Sequence, residues 1–143
     1  MDDVVTHRVL PVLDLTNRAF WTSGADGVLR FEQCQDCRAY VHPPTGRCWK
    51  CYGTNVESVP VSGRGVVYSF TVNHQEWIPG TAPYAVVLVD LEEGTAEEPL
   101  RLTSNLVGTA PDEITIGMPV EVRFLECDDV WLPQFLARTE GAS

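Results

Sequence analysis

Positive charge is scarce in this sequence. Ten Lys and Arg stand against twenty Asp and Glu, a formal net charge of −10 over 143 residues. A protein that grips a phosphate backbone needs a basic face, so the balance argues against nucleic acid as a partner. Long apolar runs are missing too. No stretch reaches the ~18 residues that a membrane-spanning helix requires, which argues against a membrane partner. The opening Met1-Asp2-Asp3 is acidic where a secretory leader is basic, so a cytoplasmic location is expected. Histidine is limited to His7, His42 and His74. There is no Gly-x-Gly-x-x-Gly fingerprint, no phosphate loop and no Gly-x-Ser-x-Gly elbow. His74, beside Gln75 and Glu76, is the histidine to test as a general base, against a plain reading as a loop or interface residue. Asp90, Glu92 and Glu93 read as a solvated strand end. Nothing assembles a nucleophile, a base and an oxyanion site, so no catalytic residue is assigned.

What is present is an ordinary globular composition, with 44% hydrophobic and 21% charged residues. The charge is unevenly placed. Residues 1–65 carry seven Lys/Arg and seven Asp/Glu, whereas residues 66–143 carry three Arg and thirteen Asp/Glu. The first part is Cys-rich and loop-like, and the second reads as strand after strand. Two modules are expected, each too small to be wholly independent.

Four of the five cysteines are patterned. Cys34-Gln35-Asp36-Cys37 and Cys48-Trp49-Lys50-Cys51 are two Cys-x-x-Cys pairs, ten residues apart. Each such turn points two sulfurs at one spot, and two turns supply the four thiolates of a tetrahedral zinc site. Pro43, Pro44 and Gly46 favour a turn between them. Four sulfurs close the coordination shell, so the zinc is structural rather than catalytic. Iron is chemically possible with the same ligands. His42 lies between the pairs and reads as a surface or packing residue. Cys127, followed by Asp128-Asp129, lacks the positive field that forms a thiolate and reads as packing.

Asp14 to about Ser23 reads as a short helix capped by Asp14, with Leu15, Ala19, Phe20, Trp21 and Thr22 giving an apolar face; Gly24 and Gly27 end it. Val28–Phe31 and Val56–Val61 are short strands. Val66, Tyr68, Phe70 and Val72 alternate with Val67, Ser69, Thr71 and Asn73, a strand with one buried face. Tyr84–Val89 is a continuous apolar run, expected to be covered on both sides. An acidic, solvated turn (Glu92–Glu98) follows. Leu100–Val107, Val120–Phe124 and Trp131–Leu136 complete five strands, with Pro133 suggesting an edge or barrel rim. The fold class expected is mainly β: an N-terminal helix, a rubredoxin-like zinc ribbon, then a five-stranded OB-fold barrel. The divisions are 1–30 for the helical segment, 31–61 for the ribbon, 62–138 for the barrel and 139–143 for a tail. Aromatic and basic residues meet near the second knuckle, at Arg47, Trp49, Lys50 and Tyr52. They suit a single acyl-CoA better than a nucleic-acid strand, which the acidic barrel half repels.

The order of these features resembles the bacterial and archaeal zinc-ribbon plus OB-fold proteins catalogued as a domain of unknown function. The likeness runs from about Asp14 to Ala137. It is carried by Phe20-Trp21, Leu29, the Phe31–Cys37 knuckle, Pro43-Pro44, Cys48 and Cys51. Ser62–Val72, Pro83–Gly94, Ile116–Val122 and Leu132–Phe135 continue it. Two departures are Arg38, where the family often has Gly, and Trp49, where it often has Pro. The resemblance implies an accessory subunit of a thiolase-fold acyl-CoA enzyme, such as a retro-aldolase of steroid-CoA side chains, with a role beside an enoyl-CoA hydratase as a further possibility. The enzyme would be the partner and not this chain. Tyr40, Trp49, Tyr52, Trp77, Ile78 and Pro79 are the partner-facing residues expected on this reading. A scaffold or module that binds acyl-CoA is the alternative.

Overall fold

In the computed structural model of the chain, the described residues are 9–76 and 83–139. They follow the order α1 (Arg18–Trp21), a 3-10 turn (Ser23–Asp26), β1 (Arg30–Cys34), β2 (Tyr40–Val41), β3 (Val56–Pro60), β4 (Arg64–Asn73), β5 (Tyr84–Leu91), β6 (Leu100–Leu106), a 3-10 turn (Pro111–Glu113), β7 (Pro119–Cys127) and β8 (Val130–Ala137). Strands β2-β1-β3 form an antiparallel sheet, and β4-β5-β6-β8-β7 close into a barrel. This is the expected mainly β fold with a short helix, a ribbon and a five-stranded barrel. The β2 pairing was not anticipated, because a two-residue strand leaves no periodic trace.

The helix is shorter than the sequence suggests. Asp14 caps the turn that leads into it: its Oδ1 accepts the N–H groups of Thr16 (2.8 Å) and Asn17 (2.7 Å), and its carbonyl accepts that of Arg18 (3.1 Å). Regular helix nonetheless runs only from Arg18 to Trp21. Leu15, assigned to the apolar face, is 98% exposed, and within α1 only Phe20 is buried. Gly27 ends the following 3-10 turn with φ +76°.

The turn packs on the barrel at Gly24. A Cβ there would sit 2.5 Å from Phe124 Cδ1 and 2.6 Å from Trp131 Cβ. Gly24→Ala is therefore expected to cost about 1–3 kcal/mol by overpacking, read as a lower urea midpoint with an unchanged m-value.

The barrel interior alternates as strands dictate. Ala85, Val87, Val89 and Leu91 of β5 point inward with Leu100, Leu102 and Leu106 of β6, Val120 of β7 and Phe135 of β8. Two expectations need correction here. First, β4 does not keep one face throughout. A bulge between Val67 and Ser69 shifts its register against β5. Val67 is buried, while Val66 and Tyr68 lie outward; beyond the bulge Phe70 packs against the core. An extra residue in one strand reverses the alternation that a sequence pattern assumes. Second, Tyr84–Val89 is covered on one side only. Val86 and Leu88 are half-buried and Tyr84 is exposed.

The ribbon and barrel share a core. Leu29, Phe31 and Val61 join the same buried cluster as the barrel residues, and Phe20 from α1 completes it.

Candidate metal centre and its surroundings

Both knuckles are built the same way. The N–H of Cys34 donates to Ala39 O (2.8 Å), and the N–H of Arg38 donates to Cys34 O (2.9 Å). Likewise Cys48 N–H donates to Gly53 O (2.8 Å), and Tyr52 N–H to Cys48 O (3.1 Å). Each turn forces the residue after its second cysteine into the left-handed region: Arg38 has φ +70° and Tyr52 φ +63°. Glycine adopts that conformation without a Cβ clash; this chain places Arg38 and Tyr52 there instead.

The result is a convergence of sulfur. The Sγ atoms of Cys34, Cys37, Cys48 and Cys51 all lie within 4.8 Å of one another. Cys34 and Cys51 Sγ are 3.6 Å apart, and Cys37 and Cys48 Sγ 3.5 Å. A disulfide needs about 2.05 Å. A tetrahedron with Zn–S bonds of about 2.3 Å has edges of nearly 4 Å, so the donor set fits a zinc ion. Backbone N–H groups already face the sulfurs: Cys37 N donates to Cys34 Sγ (3.5 Å), and Lys50 N (3.3 Å) and Cys51 N (3.5 Å) donate to Cys48 Sγ. Hydrogen bonding from Cys51 N–H, then Lys50 N–H, brings the Cys48 thiol down to about 7, and Cys37 N–H lowers that of Cys34. These conditions favour a thiolate at Cys48 and Cys34, whereas the crowding of neighbouring thiols pushes Cys51 up to about 12 and burial pushes Cys37 up. The chemistry is that of a closed, structural site.

The loop between the knuckles is held by a residue that sequence reading missed. Glu32 Oε1, on β1, accepts the N–H groups of Thr45 (3.0 Å) and Gly46 (3.1 Å). A lone glutamate in a strand gives no sign that it caps a turn thirteen residues on. His42 takes the packing role expected of it. Its ring lies 4.8 Å from that of Phe20 and 4.7 Å from that of Phe31, apart from the four-sulfur cluster.

Burial pushes the His42 pKa down to about 4 from an ordinary 6.5. The unfolded chain then takes up a proton near pH 6.5 that the fold refuses until about pH 4. Stability due to His42 is thus complete above pH 6.5 and declines as the pH falls towards 4. The loss should be about 3 kcal/mol at the acid end, at ~1.36 kcal/mol per pKa unit. Urea titrations of wild type and His42→Phe at pH 7 and pH 4.5 check this. The variant should show a flatter dependence, and an identical dependence in both would refute it.

The ribbon is also tied to the β5–β6 turn: Lys50, in the second knuckle, pairs with Glu98. Within the barrel, Glu93 Oε2 accepts the Ser62 N–H at 2.7 Å. The acidic turn is therefore not merely solvated: Glu98 joins the modules and Glu93 holds the start of the barrel, while Glu97 stays exposed. Between them is a cleft of about 290 Å³, lined by Arg38, Tyr40, His42 and Trp49 on the ribbon side and by Glu93 and Arg101 on the barrel side.

Of the partner-facing residues expected from sequence, Trp49 (53% exposed) and Tyr52 (72% exposed) stand outward on the second knuckle. Tyr40 is half-buried against the shared core, and its carbonyl accepts the Trp49 indole N–H at 2.8 Å. Trp77, Ile78 and Pro79 lie outside the described residues. His74 is exposed at the end of β4, and Cys127 is buried at the end of β7. No helix among the described residues is long and apolar enough to cross a membrane.

Comparison with known proteins agrees with this architecture. Residues 21–57 match the family model described as the ChsH2 rubredoxin-like zinc ribbon domain, and residues 58–125 match the ChsH2 C-terminal OB-fold domain. A chain of the solved Ltp2-ChsH2(DUF35) aldolase superimposes with a TM-score of 0.78 at 38% identity, over 90% of this chain and 98% of that one. This chain belongs to the DUF35 family. Its relatives include the probable enoyl-CoA hydratase alpha subunit of Thermomonospora curvata, 41% identical over 90% of this chain. The 3-oxo-4,17-pregnadiene-20-carboxyl-CoA hydratase alpha subunit of Mycobacterium tuberculosis is 35% identical over 77%. This DUF35 chain spans only 39% and 34% of the lengths of those two proteins. Benzoylsuccinyl-CoA thiolase subunit BbsA of Thauera aromatica is 33% identical over 68% of this chain and 66% of its own.

Proposed function

We propose that this chain is a non-catalytic accessory subunit that docks on a thiolase-fold acyl-CoA enzyme and supports its activity. Cys34, Cys37, Cys48 and Cys51 hold one structural zinc, which fixes the ribbon against the barrel. The partner supplies the chemistry, a retro-aldol cleavage of a steroid-CoA side chain. The observation that carries this reading is the likeness to the ChsH2 chain of an aldolase, 98% of whose length is matched. The thiolase subunit relative points to the same class of partner. The outward aromatics Trp49 and Tyr52 supply rigid contact surface of the kind interfaces use. Co-expression with a thiolase-like protein encoded beside this chain, followed by gel filtration, tests the reading. Co-elution is expected, with cleavage of the CoA thioester only when both chains are present. Two proteins that never co-elute would refute it.

A second reading is favoured by the two hydratase alpha subunits among the relatives: a module that brings acyl-CoA to a hydratase or thiolase. Calorimetry separates the two. Micromolar binding of a CoA thioester to the isolated chain supports the second, and its absence the first.

A further inference from the structure

The outward face of β4, β5 and β6 has an unusual composition for this chain. Antiparallel register sets Val66, Asp90 and Arg101 in one row across the three strands, and Ser69, Leu88 and Thr103 in the next. Thr71, Val86 and Asn105 follow, with Tyr84 beside Asn73. Opposed residues share a face. Alternate residues of β5 fill the interior, so these rows look outward. Val66, Tyr68 and Tyr84 are 42%, 49% and 40% exposed, and Val86 and Leu88 are half-buried.

Charge is nearly absent here, although the chain has twenty Asp and Glu. The rows contain one carboxylate and one cation, and these are spent on each other. Arg101 Nε donates to Asp90 Oδ1 at 2.6 Å and Nη2 to Oδ2 at 3.1 Å. The same guanidinium lies 3.6 Å over the Tyr68 ring, which the β4 bulge turns outward. The Arg64–Glu92 pair closes one end of the face.

We propose that this face seats the partner enzyme subunit through an uncharged surface of that partner. The proposal rests on the subunit reading given above. The charge pattern selects the occupant. OB-folds commonly bind ligands on this side of the barrel, but an oligonucleotide requires cations, and Arg101 is already committed. A charged protein surface would lose its water against a neutral wall and gain no counter-charge. An uncharged surface with its own hydroxyl and amide groups can pair with exposed Thr71 and Thr103 while covering Val66, Tyr84 and the flank of Tyr68. The Tyr68–Arg101–Asp90 cluster is preassembled, so little ordering is required on docking, and tyrosine and arginine are typical anchors of such contacts.

The test uses the full chain co-expressed with its thiolase-like neighbour. Val66→Glu and Tyr84→Glu place a charge on the face at exposed positions. Tyr68→Ala truncates the anchor without adding charge. Glu57→Lys, exposed on β3 of the ribbon, is the control. Zinc content and circular dichroism establish that each variant is folded. Each face variant should weaken partner binding at least about tenfold by surface plasmon resonance, with the control unchanged. If wild type and all face variants bind the partner equally, the surface assignment is overturned and the subunit reading stands. If wild type itself does not bind, both fall. Dimerisation of the lone chain that Tyr84→Glu abolishes would assign the face to a second copy, and salt-sensitive oligonucleotide binding that Tyr68→Ala abolishes would assign it to nucleic acid; either result overturns the proposal.

Discussion

Cys34→Ser is expected to abolish stoichiometric zinc binding and to melt the knuckle end of the ribbon sheet. The reason is how little else holds the knuckle end of that sheet, away from Phe31 and the main core. Its own buried cluster is Cys34, Ala39, Val41 and Cys48, with Cys37 and Val56 packed against it. Half of the four buried members are sulfurs aimed at the metal. Without a cation, the same atoms become close-packed thiols with nothing to bind. Structural zinc contributes roughly 10–16 kcal/mol of apparent folding free energy in small zinc domains, far more than burial of Ala39 and Val41 could replace. Metal analysis should find one zinc per wild-type chain and none in the variant. Amide exchange should show loss of protection at the Cys34 and Cys48 N–H groups, whose partners are Ala39 O and Gly53 O. A variant that keeps ribbon protection without metal would disprove a structural role for the ion.

Phe31→Ala should have the next largest effect. Phe31 is 1% exposed and belongs to a ribbon strand, yet it packs in the main core. Its ring meets Phe20 edge-on at 5.6 Å and His42 at 4.7 Å. Truncating a buried phenylalanine costs about 3–5 kcal/mol, from lost transfer energy and the cavity left behind. For a chain of this size that lowers the melting temperature by roughly 10 °C or more. Because the cavity opens between ribbon and barrel, one cooperative transition should move as a whole. Two separated transitions, with the barrel unaffected, would mean that the modules do not share a core.

The metal centre was legible because Cys-x-x-Cys is a local motif: the knuckle turns are closed by hydrogen bonds spanning four or five residues. The barrel was legible because its interior follows a period of two on β5, β6 and β7. What the sequence hid depends on partners far along the chain. The bulge in β4 is fixed by β5, so Val66 and Tyr68 look like core residues in a pattern and stand on the surface in the fold. The helix start was half legible: Asp14 N–H donates to Asn17 Oδ1 at 2.8 Å and Asn17 N–H to Asp14 Oδ1, the reciprocal cap its position suggests, but regular helix begins only at Arg18. The Lys50–Glu98 tie spans 48 residues and carries no local signature.

The barrel closes through a thin join. β6 and β8 run parallel and meet at Leu106 and Phe135, with Val107 N–H donating to Phe135 O at 2.9 Å. Ser104 Oγ adds one bond to Pro133 O at 2.7 Å. Proline has no N–H, so this stretch of β8 lacks one of the donors that would zip the join further. Thermal opening should start there, peeling β6 from β8 while both hairpins stay intact. The cylinder is thus a ring with a clasp, and the clasp is one short parallel pairing and a serine hydroxyl.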